Sequence, residues 1–477
     1  MSNNVFKEPA TTAFGEAQVA ELNAVLQITA QYGLRSDVLV AVLGGTATTI
    51  DSKFSASTGT GANNVSAIVS SREATYRAGQ GLLCRFTALF TQGVANSTQQ
   101  AGFITSESGF TFGFDGTEFG ISHSKDGALE LQELQVTSDG TGNVDITVDG
   151  NIYTVSLTSG SVQHNAYEIA VGLGGQVPGY RFSSTDDTVT CLAQLPDFGA
   201  GSFSYNPLAS GSAASFTEIQ NGTVMTDTWT PKSQWNVNPN IDIDPTLGNV
   251  YQIQLQYLGF GGIKFFIEDP ETAQFELVHI IKFANTSLVP SVQNPIFRMG
   301  WAARNTGNTS DIIVQGASGS IFVEGDIFFD GPQRGFCSSA TGIGQDRTNI
   351  LAIKNRLSFN GTANRAELLP RSLNLATDTT KTAVYEVIIN PTVATGSSLI
   401  FESQGAQELA EIATDNVEIT GGSVLACFNV KSQGSFSSDL ENALTSIPPG
   451  MIVSVTARVT SGNASDMDAA ITYQDDL

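Results

Sequence analysis

The sequence predicts a mainly β protein: a jelly-roll or β-sandwich domain with a small α+β insertion, followed by a second β-sandwich domain. Three observations carry this. Tyr251, Ile253, Leu255 and Tyr257 alternate with Gln252, Gln254 and Gln256, the period-two mark of a strand with one buried and one wet face. Turn chemistry recurs at short intervals, as in Asp115-Gly116, Asp126-Gly127 and Asp269-Pro270, which is the cadence of antiparallel sheets. At 477 residues the chain is also long for one core, since a domain holds roughly 100–200 residues.

Residues 1–70 are expected to form a helix-containing segment for anchoring or oligomerisation. Over 16–32, Val19, Leu22, Val25, Leu26 and Thr29 fall on one helical face and Gly33 follows as a stop. A short strand is expected at 38–43, and the polar run SASTGTGANN at 55–64 reads as a linker. The jelly roll is expected over 71–330, with strands at 82–90, 110–114, 119–122 and 129–136. FGFDGTEFGISH reads as a hairpin whose aromatic side faces a second sheet, with strands from 251–283 as its partner.

An insertion at about 144–205 has a different character. VDITVDGNIYTVSLT forms a hairpin around Asp149-Gly150, 162–172 reads as a helix, and strands follow near 180–182 and 188–193. That order is β-β-α-β-β. The Gly-, Ser- and Pro-rich run at 330–346 reads as a linker, after which seven short strand candidates over 331–477 predict the second sandwich.

Acidic residues outnumber basic ones 46 to 22, giving a net charge of −24, yet only 14% of residues are charged. With no cluster of Lys and Arg, such a surface repels polyphosphate, so nucleic-acid binding is not expected. No window reaches the roughly 18 uninterrupted apolar residues of a membrane span, and the N-terminus has neither the basic start nor the apolar stretch of a signal peptide. The expectation is a chain without an export signal whose seven N-x-S/T sequons stay unmodified. Cys84, Cys191, Cys337 and Cys427 form no C-x-x-C pair and are expected as free thiols, with Cys84 and Cys427 acting as small hydrophobes in apolar runs.

Catalytic constellations are not evident. His123, His164 and His279 have no metal-ligand spacing, and neither a G-x-S-x-G elbow nor a P-loop occurs. No catalytic residue or cofactor is nominated, and abundant carboxylates single out no glycosidase pair. In IDIDPTLGN the oxygens of Asp242, Asp244 and Asn249 are calcium candidates, although the spacing departs from an EF-hand and also suits a solvated turn. Trp229 and Trp235, in the loop-like stretch 227–240, are the candidate glycan platforms, while Trp301 reads as core.

RAGQGLLCRFTALF (77–90), FGFDGTEFGI (112–121), NVYQIQLQYLGFGGIKFFIEDPETAQFELVHIIKFANT (249–286) and GWAARNTGNTSDIIVQGASGSIFVEGD (300–326) together resemble a family of virion-associated proteins of tailed bacteriophages and large DNA viruses. At fold level the same region is similar to concanavalin-like and laminin-G-like jelly rolls. The resemblance covers about half the chain and carries over no functional residue. It implies a non-enzymatic virion structural protein, a capsid-associated, vertex or tail-fibre component that self-assembles, as a trimer for example. Its partners would be itself, other virion proteins and a host-surface glycan or receptor, and its location the virion. The alternatives are a lectin-like carbohydrate-binding module and a polysaccharide-cleaving enzyme.

Overall fold

The computed structural model describes residues 21–35, 37–158, 160–194, 202–325, 331–431, 433–440, 444 and 446–476. They form the predicted mainly β architecture, in which every strand ladder is antiparallel. Two compact units divide the chain: one takes residues up to 128 together with 223–328, the other 129–222 together with 329–477.

The first unit is a sandwich of two large sheets. One runs in the order Gln274–Ile281, Ile263–Asp269, Asn249–Leu255, Leu82–Phe90, Ile313–Gly316, Lys53–Ser57 and Thr46–Ile50, with Ser318–Glu324 and Leu22–Thr29 branching from Leu82–Phe90. The other runs in the order Thr226–Pro231, Glu118–Lys125, Gly109–Asp115, Ser97–Ile104, Ile296–Asn305, Val65–Ser70 and Val38–Leu43. The expected facing of the two hairpins is realised in the core, where the Phe112 ring lies 4.8 Å from Tyr251 and 5.4 Å from Phe265. Trp301 is fully buried, and its indole N–H donates to the Thr87 carbonyl at 2.9 Å.

Two expectations in this unit are corrected. The helix expected at 16–32 is replaced over Leu22–Thr29 by a strand that pairs with Ser318–Glu324, with Leu26 and Ile28 alternating into the core, and a turn follows at 30–32. Its remaining residues, 16–20, lie outside the described residues. The linker at 55–64 overlaps the strand Lys53–Ser57, which pairs on both sides. Residues before 70 therefore supply integral strands of both sheets.

The β-β-α-β-β order of the insertion is present. Gly142–Val148 pairs with Asn151–Leu157, the helix Val162–Gly174 follows, and Tyr180–Thr185 pairs with Thr188–Ala193. The Ser161 hydroxyl caps the helix by accepting the His164 N–H at 3.2 Å. Ile169 and Leu173 seal a core with Val144, Ile146 and Val189.

The second sandwich packs a four-stranded sheet, Gln333–Ile343, Ser465–Asp476, Glu367–Thr377 and Ser435–Asp439, on a six-stranded one built around Thr348–Asn355, Ile452–Val459 and Ala383–Val393. The linker expected at 330–346 is therefore a strand over Gln333–Ile343, paired along its length with Ser465–Asp476. The insertion joins this sandwich through small shared clusters, one of which sets Leu131 and Leu192 against Leu357 and Ala363.

Candidate functional site

The candidate site is the face of the eight-stranded sheet directed away from the core. Side chains alternate along a strand, so Phe110, Phe112, Phe119 and Ile121 point inward, and Thr111, Gly113, Gly120 and Ser122 point outward. The register sets Trp229, Ser122, Thr111, Gly102 and Gly300 in one row across the sheet, and Pro231, Gly120, Gly113, Gln100 and Ala302 in the next. This is a floor of small and hydroxyl-bearing residues with an indole at one side. Gly113 is obligatory there, because a Cβ would sit 1.7 Å from the Gln99 carbonyl oxygen.

Charged groups border the floor. Asp227, two residues from Trp229, pairs across the strands with Ser124, while Asp115, Thr98 and Arg304 stand side by side in a further row that continues to Glu118. Asp227 sits opposite Ser124, and the Ser124 hydroxyl and the Gln100 amide, three strands over, act on its carboxyl, a reach that requires the sheet to curl. Burial pushes the Asp227 carboxyl above the usual carboxylate range. The Ser124 hydroxyl opposes that rise, Asp115 reinforces it and Arg304 offsets it through space. Burial raises Asp115 as well.

Thr111 and Ser122 are buried in the floor, and the Thr111 hydroxyl has no protein hydrogen-bond partner. The Gln100 amide nitrogen makes no full hydrogen bond although it faces Asp227. Trp229 is half-buried, and Asp115 and Asp227 keep exposed surface while their carboxyl groups are partly desolvated. An indole flank beside carboxylates, an amide and a guanidinium suits a ligand with an apolar C–H face and a rim of hydroxyl groups.

Of the two tryptophans singled out from sequence, only Trp229 lies on this face. Trp235 is 3% exposed, packs edge-on against Phe112 and Phe119, and donates its indole N–H to the Thr230 carbonyl at 3.2 Å. It is a core residue, which corrects its candidacy as a glycan platform.

The calcium candidates are committed to a turn. Asp244 Oδ1 accepts the Thr246 N–H at 2.8 Å and the Thr246 hydroxyl at 2.7 Å, and the Asn249 side-chain N–H donates to the Asp244 and Leu247 carbonyls. Asn249 thus turns its donor end into the loop, and Asp242 is exposed. Among the described residues no three His, Cys, Asp or Glu side chains gather where they can hold a metal ion.

The histidines have structural partners. His123 stacks on Phe110 at 4.9 Å, with Nε2 2.7 Å from the Ser291 carbonyl. His279 Nδ1 accepts the Asn236 N–H. In the second unit, His164 bridges Ser398 and Glu168. All four cysteines are free; Cys84 and Cys191 are buried, whereas Cys427 is exposed, correcting its expected role as a small hydrophobe.

No protein-family model matches the chain, and no curated protein matches it in sequence. Solved structures align with it at low similarity. They include a legume lectin-like domain from Entamoeba histolytica, 8% identical over 60% of this chain and 89% of that one with a TM-score of 0.23. A glycosyl hydrolase family protein from Mycobacterium fortuitum is 10% identical over 63% and 99%, TM-score 0.28. Lectin II from Ulex europaeus is 9% identical over 63% and 100%, TM-score 0.24. Similarity at this level carries no argument about activity, so the functional reading rests on the sheet face.

Proposed function

We propose that this protein is a non-enzymatic virion structural component whose first sandwich binds a host-surface glycan, or a receptor bearing one, on the outer face of its eight-stranded sheet. The observation that carries the glycan reading is the placement of the half-buried Trp229 indole beside Asp227, above a floor of Gly, Ser and Thr. The indole stacks on a sugar ring's C–H face. Asp227, Asp115, Gln100 and Arg304 exchange hydrogen bonds with its hydroxyls. The virion setting rests on the string resemblance of 77–90, 112–121, 249–286 and 300–326.

The test is a glycan array with the purified full-length chain, followed by titration calorimetry on the best ligand. Trp229→Ala is expected to weaken binding at least tenfold and Asp227→Asn several-fold, with unchanged circular dichroism. Absence of binding to any glycan overturns the reading. Release of reducing ends from a polysaccharide, abolished by Asp227→Asn or Asp115→Asn, replaces it with a cleaving enzyme that uses those two carboxylates.

A further inference from the structure

The margin of the first sandwich opposite Trp229 carries a different surface. Val38–Leu43, sequence VLVAVL, ends the eight-stranded sheet and pairs only with Val65–Ser70 among the described residues. After Gly44 and Gly45 the chain forms Thr46–Ile50, an edge of the other sheet, paired with Lys53–Ser57. From Val38 to Ile50 there is no charged residue, in a chain whose net charge is −24. Edge strands in soluble proteins are ordinarily protected by Lys, Pro or a covering element; this one has none of these among the described residues.

Its apolar side chains are open on both faces of the strand. Leu39, Val40, Val42 and Leu43, with Tyr32 and Ile50 nearby, are 39 to 73% exposed. By register Val40 lies on the core-facing side, opposite Ile68, and Leu39 and Leu43 on the outer side, so the strand overhangs the core. The glycan-binding reading gives this strip no role.

We infer that a second copy of this chain docks here, strand 38–43 against strand 38–43, in antiparallel pairing about a two-fold axis. Three features select that occupant. The strip is where two strongly acidic copies approach with the least repulsion. An unpaired strand edge is self-complementary in the antiparallel sense, as a two-fold contact requires. Covering these six side chains on each copy buries roughly 600 Å² per partner, or about 1,200 Å² in all, which reaches the lower bound of stable interfaces.

Symmetry restricts the register further. A two-fold axis normal to the sheet keeps outer side chains on the outer side, and opposed residues share a side. Hence one residue of the strand faces itself in the partner, and the registers that pair the most residues of Val38–Leu43 set Val40 against Val40 or Ala41 against Ala41. The pairing closes on two copies and fuses two eight-stranded sheets.

Light scattering behind size exclusion at tens of micromolar tests the inference with the full-length chain. Twice the 50.2 kDa chain mass is expected for wild type, and the single mass for Val40→Lys/Val42→Lys. If that variant misfolds by circular dichroism, Leu39→Lys/Leu43→Lys on the outer side replaces it. In a Cys337→Ser/Cys427→Ser background, Val40→Cys or Ala41→Cys is expected to yield an oxidised dimer, one of the two far more readily. A monomeric wild type, an assembly indifferent to these substitutions, or no cross-link from either cysteine overturns the inference. So does a monomer whose 38–43 amides resist hydrogen exchange, since the chain's own residues would then cover the strand. Trp229→Ala leaves the mass unchanged, so this inference and the glycan reading fail separately.

Discussion

Lys354 Nζ lies 2.8 Å from Glu411 Oε2, with the two side chains 2% and 5% exposed. The ammonium also donates to the Ser184 carbonyl and sits 4.3 Å from the Phe401 ring centroid. One buried cation thereby ties the insertion to the second sandwich. Burial pulls the lysine below its ordinary pKa, and Glu411 opposes that shift. Removing one partner strands the other charge in an apolar setting. Lys354→Met and Glu411→Leu are each expected to cost about 3–5 kcal/mol, and the double variant distinctly less than their sum. Urea unfolding of the four proteins closes the cycle.

Asp227 makes ligand binding pH-dependent. Its folded pKa is raised, chiefly by burial, so the folded state holds a proton that the unfolded chain has already lost. This group's stabilisation is present below the unfolded pKa and fades as pH rises through the folded one. Glycan affinity, which uses the carboxylate, is expected to move oppositely and weaken as pH falls through that raised value. Asp227→Asn should abolish this step in affinity, and calorimetry between pH 4 and 7 reads it.

Trp235 and Trp229 should separate stability from binding. Trp235→Ala empties a site against Phe112 and Phe119 and is expected to cost about 3–5 kcal/mol, seen as a lower denaturant midpoint. Trp229→Ala should leave that midpoint within about 0.5 kcal/mol of wild type. Equal losses would place Trp229 in the core and remove it from the proposed site.

Ser398 offers a direct check on the non-enzymatic reading. Glu168 Oε1 lies 3.2 Å from His164 Nε2 and also accepts the Thr158 hydroxyl, and His164 Nδ1 lies 2.9 Å from the Ser398 hydroxyl. The trio fastens the Val162–Gly174 helix to the segment around Ser398. Ser398→Ala is expected to cost about 1 kcal/mol, and a fluorophosphonate probe should leave the wild-type protein unlabelled. Labelling of Ser398 would make the trio a nucleophile with its base.

The thiols should divide two and two. Cys84 and Cys191 are fully buried, and burial pushes both thiols up; Cys337 and Cys427 are exposed. The native protein is expected to release two equivalents of chromophore rapidly from a disulfide reagent and the other two only on unfolding.

Legibility of the fold followed local periodicity. Tyr251, Ile253 and Leu255 read as one buried stripe and are buried. The Val162–Gly174 helix was readable because its apolar spacing begins just after the capping Ser161. Leu22–Thr29 misleads because Leu22, Val25, Leu26 and Thr29 satisfy a helical spacing, while Leu26, Ile28 and Ala30 satisfy a period of two that only pairing with Ser318–Glu324 selects. Gln333–Ile343 hid behind Gly and Ser, which a strand tolerates when its partner supplies the packing.

The site was half visible. In GFTFGFD and EFGISHS the alternation of Phe, Phe, Phe and Phe, Ile, His with Thr, Gly, Asp and Gly, Ser, Ser marks a face built from small polar groups. That Asp227, Gln100, Asp115 and Arg304 converge on it was illegible, because they lie on four separate strands and meet only through register. Trp229 and Trp235 are six residues apart in one polar stretch, and composition gives no reason to send one outward and the other into the core.

The chain passes from one unit to the other at 128–129, 222–223 and 328–329, so each unit is assembled from two separate stretches of polypeptide. During synthesis the ribosome must deliver residue 223 and beyond before the first sandwich can close, and by then the whole insertion has emerged without the sandwich it packs on. Val144, Ile146, Ile169 and Leu173 give that insertion a core of its own, built from residues already synthesised when the second sandwich is not. No contiguous fragment contains the second unit alone.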